Sequence, residues 1–206
     1  MPDFRIEREI CRAGFKTIAG LDEAGRGALF GPVVAASVIF PLSVIQGEVV
    51  DWMREVKDSK QLSPTKRNRL AKLIACSAEA VGIGLTSHRE IDLKNVHWAS
   101  LEAMKRAFAS MPQKPDYLLV DGFKLNDVNY PQMPVVKGDE KSISIAAASI
   151  VAKVVRDGMI TLLDPFFHGY ALYKNKGYGT REHFEALRKL GPSALHRRSF
   201  NLKGEK

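Results

Sequence analysis

Two adjacent carboxylates constrain this chain more than any other feature. Asp22 and Glu23 end the apolar run Ile18-Ala19-Gly20-Leu21, stand just before Gly25-Arg26-Gly27, and are followed by a second apolar stretch, Val33 to Phe40. The pattern predicts two buried strands with acids at the end of the first. A buried carboxylate without a partner costs several kcal/mol, so such acids are normally paired, hydrogen-bonded or bound to metal. Neighbours on a strand point to opposite faces, so Asp22 and Glu23 share one site only if the backbone turns at once. Gly25 and Gly27 supply that freedom. The competing reading is a surface turn with solvated acids.

Strand-like and helix-like patterns alternate through the remaining chain. Ser63-Pro64 reads as an N-cap with proline in the first helical position, followed by an apolar face of Leu70, Leu73 and Ile74. Ala80 to Thr86 alternates as a strand. Asn95 to Met111 reads as a helix with Leu101, Met104 and Phe108 on one side, closed by Pro112 and Pro115. Tyr117 to Val120 is a short strand running into Asp121-Gly122, and a long helix from Ser142 to Leu163 stripes Ile143, Ala147, Ile150 and Val154. A Gly- and Tyr-rich loop, a helix near Arg181 to Leu190 and a basic tail follow. Strands interleaved with helices indicate an α/β layered sheet, and no repeat or linker interrupts it.

The 206 residues suit one domain with a sizeable core. A net charge of +8 and a pI near 9.5 favour a polyanionic partner, since clustered cations exchange condensed counterions for phosphate contacts. Cys11 and Cys76 form no C-x-x-C pair and no disulfide framework, which points to a reducing, cytoplasmic setting. Residues 28–47 are uncharged and about long enough to span a bilayer, but Gly31, Pro32 and Pro41 interrupt them. The start of the chain lacks the apolar segment of a signal peptide, so no membrane association is expected.

Two further acids extend the pattern. Asp121 repeats the placement of Asp22, and Asp139 sits just ahead of the long helix. Acids delivered by strand ends and a helix entrance make a hard-oxygen site of the kind Mg²⁺ or Mn²⁺ prefers, and such clusters commonly cleave phosphodiesters with two metals. Each acid also has a structural reading: Asp121 as a turn-forming Asp-Gly, Asp139 as a helix-capping acid. Phe30 replaces the glycine that G-x-G-x-x-G needs and there is no G-K-[ST], so no nucleotide fold or P-loop is supported.

Taken together, the motifs resemble bacterial ribonuclease HII from about Ile18 to Phe200. The matching segments include Gly20-Leu21-Asp22-Glu23-Ala24-Gly25-Arg26-Gly27, Asp58-Ser59-Lys60-Gln61-Leu62-Ser63 and Glu90-Ile91-Asp92-Leu93-Lys94-Asn95. They continue with Val120-Asp121-Gly122, Lys137-Gly138-Asp139, Ile145 to Ile150, Ala152 to Asp157, His168-Gly169-Tyr170, Asn175 to Thr180 and His196 to Phe200. Only the run from Leu42 to Val56 looks unusually long.

The resemblance implies an RNase H-like fold, a mixed sheet flanked by helices, in a single catalytic domain over residues 1–206. A small C-terminal helical extension, about residues 165–206, would bind substrate. The family's four catalytic, metal-binding acids fall on Asp22, Glu23, Asp121 and Asp139, with Mg²⁺ or Mn²⁺ as one or two divalent ions. The implied activity is cleavage of the RNA strand of RNA–DNA hybrids and nicking 5′ of single ribonucleotides in duplex DNA, leaving 3′-hydroxyl and 5′-phosphate ends. Gly25, Arg26 and Gly27 correspond to the family's reader of the 2′-hydroxyl, Tyr178 to the aromatic packed on the neighbouring sugar, and Ser59-Lys60 to a phosphate contact. Tyr178 has a second reading as a loop or core tyrosine. Lys153 reads as facing DNA or solvent, and His196-Arg197-Arg198 as tracking the nucleic-acid backbone. A monomer is expected, and no clamp-binding peptide supports a replication clamp as partner. The rivals are an RNase H-fold enzyme acting on DNA alone and a catalytically silent hybrid-binding module.

Overall fold

The computed structural model describes residues 1–56, 59 and 62–204. Helix α1 (Arg5–Arg12) leads into β1 (Ile18–Ala24) and β2 (Val33–Ile39), then the short helices α2 (Leu42–Gln46) and α3 (Asp51–Arg54). These two occupy the long run from Leu42 to Val56. Next come α4 (Pro64–Ser77), β3 (Ala80–Thr86), α5 (His88–Lys94), α6 (Val96–Ala109), β4 (Tyr117–Asp121) and β5 (Gln132–Val135). A 3₁₀ turn (Gly138–Glu140) precedes α7 (Ile143–Leu163), and α8 (Leu172–Asn175) and α9 (Arg181–Leu190) complete the order.

The helix starts follow capping chemistry. Ser63 accepts from Lys66 N–H ahead of Pro64, and Ser142 from Ile145 N–H at the head of α7. Ser87 and Glu90 form a reciprocal capping box on α5. Asn95, at φ 81°, ends α5 and caps α6 by accepting from Trp98 N–H.

Among the described residues the strands form one mixed sheet in the order β3-β2-β1-β4-β5. β1 pairs antiparallel with β2 and parallel with β4, which in turn pairs parallel with β5. One face packs on α4 and α7, through Val38, Leu70, Ile74, Ile143, Ala147 and Ile150. The other packs on α6, through Leu21, Ala35, Ala103, Met104 and Leu118. A Cβ on Gly20 would lie 2.2 Å from the Ser144 carbonyl carbon, so glycine is what lets α7 lie against β1. A separate cluster joins Leu29 and Phe30 to Ile160, Tyr170, Leu172 and Leu187, fastening the C-terminal helices to the loop after β1. Among the described residues no helix is long and apolar enough to cross a membrane.

Candidate active site

The register of the two central parallel strands brings the acids together. The last pair joining β1 to β4 is Leu21 with Val120, so the next residues, Asp22 and Asp121, emerge side by side at the strand ends. Parallel neighbours are about 4.8 Å apart. The backbone does not turn at once: β1 continues through Glu23 and Ala24, opposite Ala35 and Val34 of β2. Glu23 lies past the end of the β1–β4 ladder, and its longer side chain still reaches the others. One carboxylate oxygen from each of Asp22, Glu23 and Asp121 lies within 4.8 Å of the other two.

Neighbours hold each acid. Asp22 Oδ1 accepts from Glu23 N–H at 2.6 Å, and its side chain bonds to Ser149 on α7. Ser149 Oγ lies 3.1 Å from Ser59 Oγ. Ser59 is thus buried and supports Asp22 through Ser149. Asp121 Oδ1 accepts from Gly138 N–H at 2.7 Å, which ties the 3₁₀ turn carrying half-buried Asp139 to the strand end. Asp139 is not one of the three mutually close acids; it enters from the adjoining turn. Glu23 is paired with Arg26 at 3.4 Å. Lys60 lies outside the described residues, as do Asp58 and Gln61 of the same motif.

Burial raises the Asp22 carboxyl well above the usual range, and the charges of Glu23 and Asp121 raise it further. Burial also raises Glu23, against the opposing pull of Arg26. Three hard carboxylate donors under that strain suit a small divalent cation. The residues present fit Mg²⁺ or Mn²⁺.

The loop after β1 is built from below by two arginines that the sequence left unassigned or misplaced. Gly25 has φ +96°, and a Cβ there would lie 2.0 Å from Arg156 Nε. Arg156 is fully buried and donates to the carbonyls of Pro32, Lys176 and Phe30, each at 3.0 Å. Arg197, also fully buried, donates to Gly31 O at 2.9 Å and Arg26 O at 2.8 Å. Burial lowers both guanidinium pKa values, Arg197 to about 9. The expectation that His196 and Arg197 track a nucleic-acid backbone is therefore corrected: both point inward, and only Arg198 of the three is exposed. A buried arginine held on backbone carbonyls has no spacing signature, though the Arg-rich tail beside a glycine loop was its one trace. Gly27 differs from Gly25, since a Cβ there meets nothing within 4 Å.

Tyr178 is half-buried and bridges to Ala28 in that loop. Lys153 Nζ sits 4.5 Å above its ring and 3.3 Å from its hydroxyl, and the Arg156 guanidinium is 5.1 Å from the ring centre. Lys153 is also paired with Asp157 at 2.9 Å, and Asp157 with Arg67 at 3.1 Å. These residues and Tyr178 line a groove of about 1150 Å³ between α4 and α7, with Lys72, Lys174 and Lys176 adding positive charge.

Residues 19–203 match the family model described as Ribonuclease HII. The ribonuclease HII of Moorella thermoacetica is 50% identical over 194 residues, spanning 94% of this chain and 91% of that protein. Ribonuclease H2 from Pyrococcus horikoshii OT3 superposes with a TM-score of 0.72 at 26% identity, over 91% of this chain and 95% of that one. The ribonuclease HII in a PCNA complex from Archaeoglobus fulgidus gives 0.73 at 26% identity, over 92% and 98%.

Proposed function

The chain belongs to the ribonuclease HII family, and from that membership we infer that it is a metal-dependent endonuclease that cleaves the RNA strand of RNA–DNA hybrids and nicks duplex DNA 5′ of a lone ribonucleotide, leaving 3′-hydroxyl and 5′-phosphate ends. The observation that carries the reading is the convergence of Asp22, Glu23 and Asp121 to within 4.8 Å at adjoining strand ends.

In this reading the three acids, with Asp139 from the neighbouring turn, hold Mg²⁺ or Mn²⁺. One or two bound ions supply water activation and stabilise the leaving oxygen. Ser149 and the Glu23 amide fix Asp22, while the Gly138 amide fixes Asp121, so the donors are ordered before any ligand arrives. The open side of Gly27 admits a sugar–phosphate backbone, and main-chain groups of the Gly25-Arg26-Gly27 loop bind the 2′-hydroxyl. That group is what separates RNA from DNA at a site. Arg156 and Arg197 hold the loop from beneath without touching substrate. Tyr178 packs against the neighbouring sugar, whereas Ser59, 3% exposed and bonded to Ser149, serves the site from beneath Asp22 and not as a phosphate contact.

Asp121→Asn tests the assignment. The amide keeps the acceptor for Gly138 N–H but loses the charge that holds metal, so cleavage should fall by at least about 10³-fold while duplex binding stays near wild type. Near-normal turnover would refute the role of Asp121.

A further inference from the structure

Beneath Tyr178 the structure holds a pair of histidines that the site above does not use. His183, on α9, and His196 are 0% and 1% exposed. Their Nε2 atoms are 3.0 Å apart, and the proton positions follow from the partner at one end. The backbone N–H of Ser193 can only donate, and it points at His196 Nδ1 from 2.9 Å. His196 therefore carries its proton on Nε2 and gives it to His183 Nε2. His183 must then be protonated on Nδ1, which lies 2.9 Å from the Tyr178 carbonyl oxygen. The chain of bonds runs one way, from Ser193 through both rings to Tyr178, and it is complete only when both rings are neutral.

We propose that His183 and His196 are positioning residues for ribonucleotide recognition: their one-way chain of neutral hydrogen bonds sets the backbone at Tyr178. The proposal rests on the inferred packing of Tyr178 against the sugar. The Tyr178 carbonyl accepts from Thr180 N–H at 2.8 Å as well as from His183, and Tyr178 N–H donates to Asn175 O at 2.9 Å, so the backbone on both sides of this residue is pinned. The same assembly reaches the glycine loop. Tyr178 bridges Ala28, Phe30 bridges His196, and the Phe30 ring stands edge-on to the His196 ring at 5.1 Å.

Extra protons disrupt this arrangement. A proton added to His183 Nε2 sets it against the His196 N–H, and one added to His196 Nδ1 sets it against the Ser193 N–H, leaving only the Ser193 hydroxyl, 2.8 Å away, to turn from donor to acceptor. The surrounding charges do not relieve this. Arg156 and Arg197 are cations held on backbone carbonyls, and the Tyr170 phenol, whose ring lies 4.9 Å from His196, donates to Gly191 O. On α9, Arg181 pairs with Glu185, and Glu182 with Lys174, on the exposed side. Burial and the neighbouring ring push His196 down to about 4.

Two measurements decide the matter. Imidazole ¹⁵N spectra of the whole protein near neutral pH should show His183 protonated on Nδ1 alone and His196 on Nε2 alone; a different tautomer, or a charged ring, overturns the proposal whether or not any variant folds. In kinetics, His183→Phe keeps a ring but breaks the bond to Tyr178. It should lower kcat/KM on a single-ribonucleotide duplex by about 10-fold and on a continuous hybrid by less than about 3-fold, with no further loss when added to Tyr178→Ala. Equal losses on both substrates, or independent losses in the double variant, overturn the relay as a positioning device. Wild-type preference in Tyr178→Ala alone would remove the role of Tyr178 itself, and that single-variant arm separates the two failures.

Discussion

Replacing Asp22 with asparagine should make the metal-free protein more stable while ending its catalysis. Carboxylate oxygens within 4.8 Å of one another repel by about 3.5 kcal/mol per pair at an effective dielectric constant of about 20. Burial raises the Asp22 pKa first, and Glu23 and Asp121 add to it. A carboxyl raised in the fold binds protons more readily there than in the unfolded chain, so stability falls as pH rises from about 4 toward the folded pKa. The penalty at pH 7 is capped at about 4 kcal/mol, the cost of protonating a carboxyl whose free pKa is about 3.9. Asparagine keeps the acceptor for Glu23 N–H but carries no charge, and we expect a gain of about 2 kcal/mol after imperfect replacement of the Ser149 bond. For a chain of this length each kcal/mol moves Tm by about 2–4 °C, so Tm in EDTA near pH 7.5 should rise by about 4–8 °C. The gain should shrink toward pH 4. Mg²⁺ should stabilise the wild type by about 2.7 kcal/mol at one hundred times Kd, raising its Tm, and move the variant far less. A variant less stable than wild type in EDTA, or one equally stabilised by Mg²⁺, would refute the reasoning.

Other perturbations separate the supports from the site. Gly25→Ala should destabilise the fold by more than about 2 kcal/mol by thermal melting, because φ +96° and the Arg156 side chain leave no room. Gly27→Ala should leave Tm within about 1 °C while cutting kcat/KM on both ribonucleotide substrates, since its open side faces no protein atom within 4 Å. Arg156→Met should cost about 3 kcal/mol or more in denaturant melts, through three carbonyls left without donors. The His196 pKa, pushed down to about 4, makes stability fall as pH drops from about 6.5 to 4, by up to about 3 kcal/mol. That trend opposes the Asp22 trend in the same window, and melts of Asp22→Asn isolate it. Substrate affinity should fall with salt at a log–log slope of about −0.9 per phosphate contacted, measured by anisotropy.

The strongly patterned elements were legible in the sequence. β1, β3, α7 and α9 stand where periodicity put them, and α4 starts where the Ser63-Pro64 cap put it. The acids were legible because carboxylates ending apolar runs violate burial rules. Other parts carried no local signal. β5 is a four-residue strand containing Pro134 and reads as loop, and it is an edge strand, where proline is tolerated. Helix α5 hides within a motif whose capping box, Ser87 with Glu90, was present but unread. The inward course of His196 and Arg197 could not be inferred from a basic tail, because long-range backbone carbonyls at Arg26 and Gly31 supply the partners. Glu23 joins the site without the immediate turn that strand alternation demands, because β4 ends beside it and leaves its side chain a path.

The most direct test compares initial cleavage rates on three matched duplexes: one with a single ribonucleotide, one continuous RNA–DNA hybrid and one all DNA, each with Mg²⁺ and with EDTA. A site built around a substrate hydroxyl rejects the analogue lacking it by roughly 10⁴-fold. The account predicts rapid Mg²⁺-dependent cutting of both ribonucleotide substrates, a nick 5′ of the lone ribonucleotide, and no measurable cutting of all-DNA duplex. Comparable cutting of the all-DNA duplex, or full activity in EDTA, would contradict it.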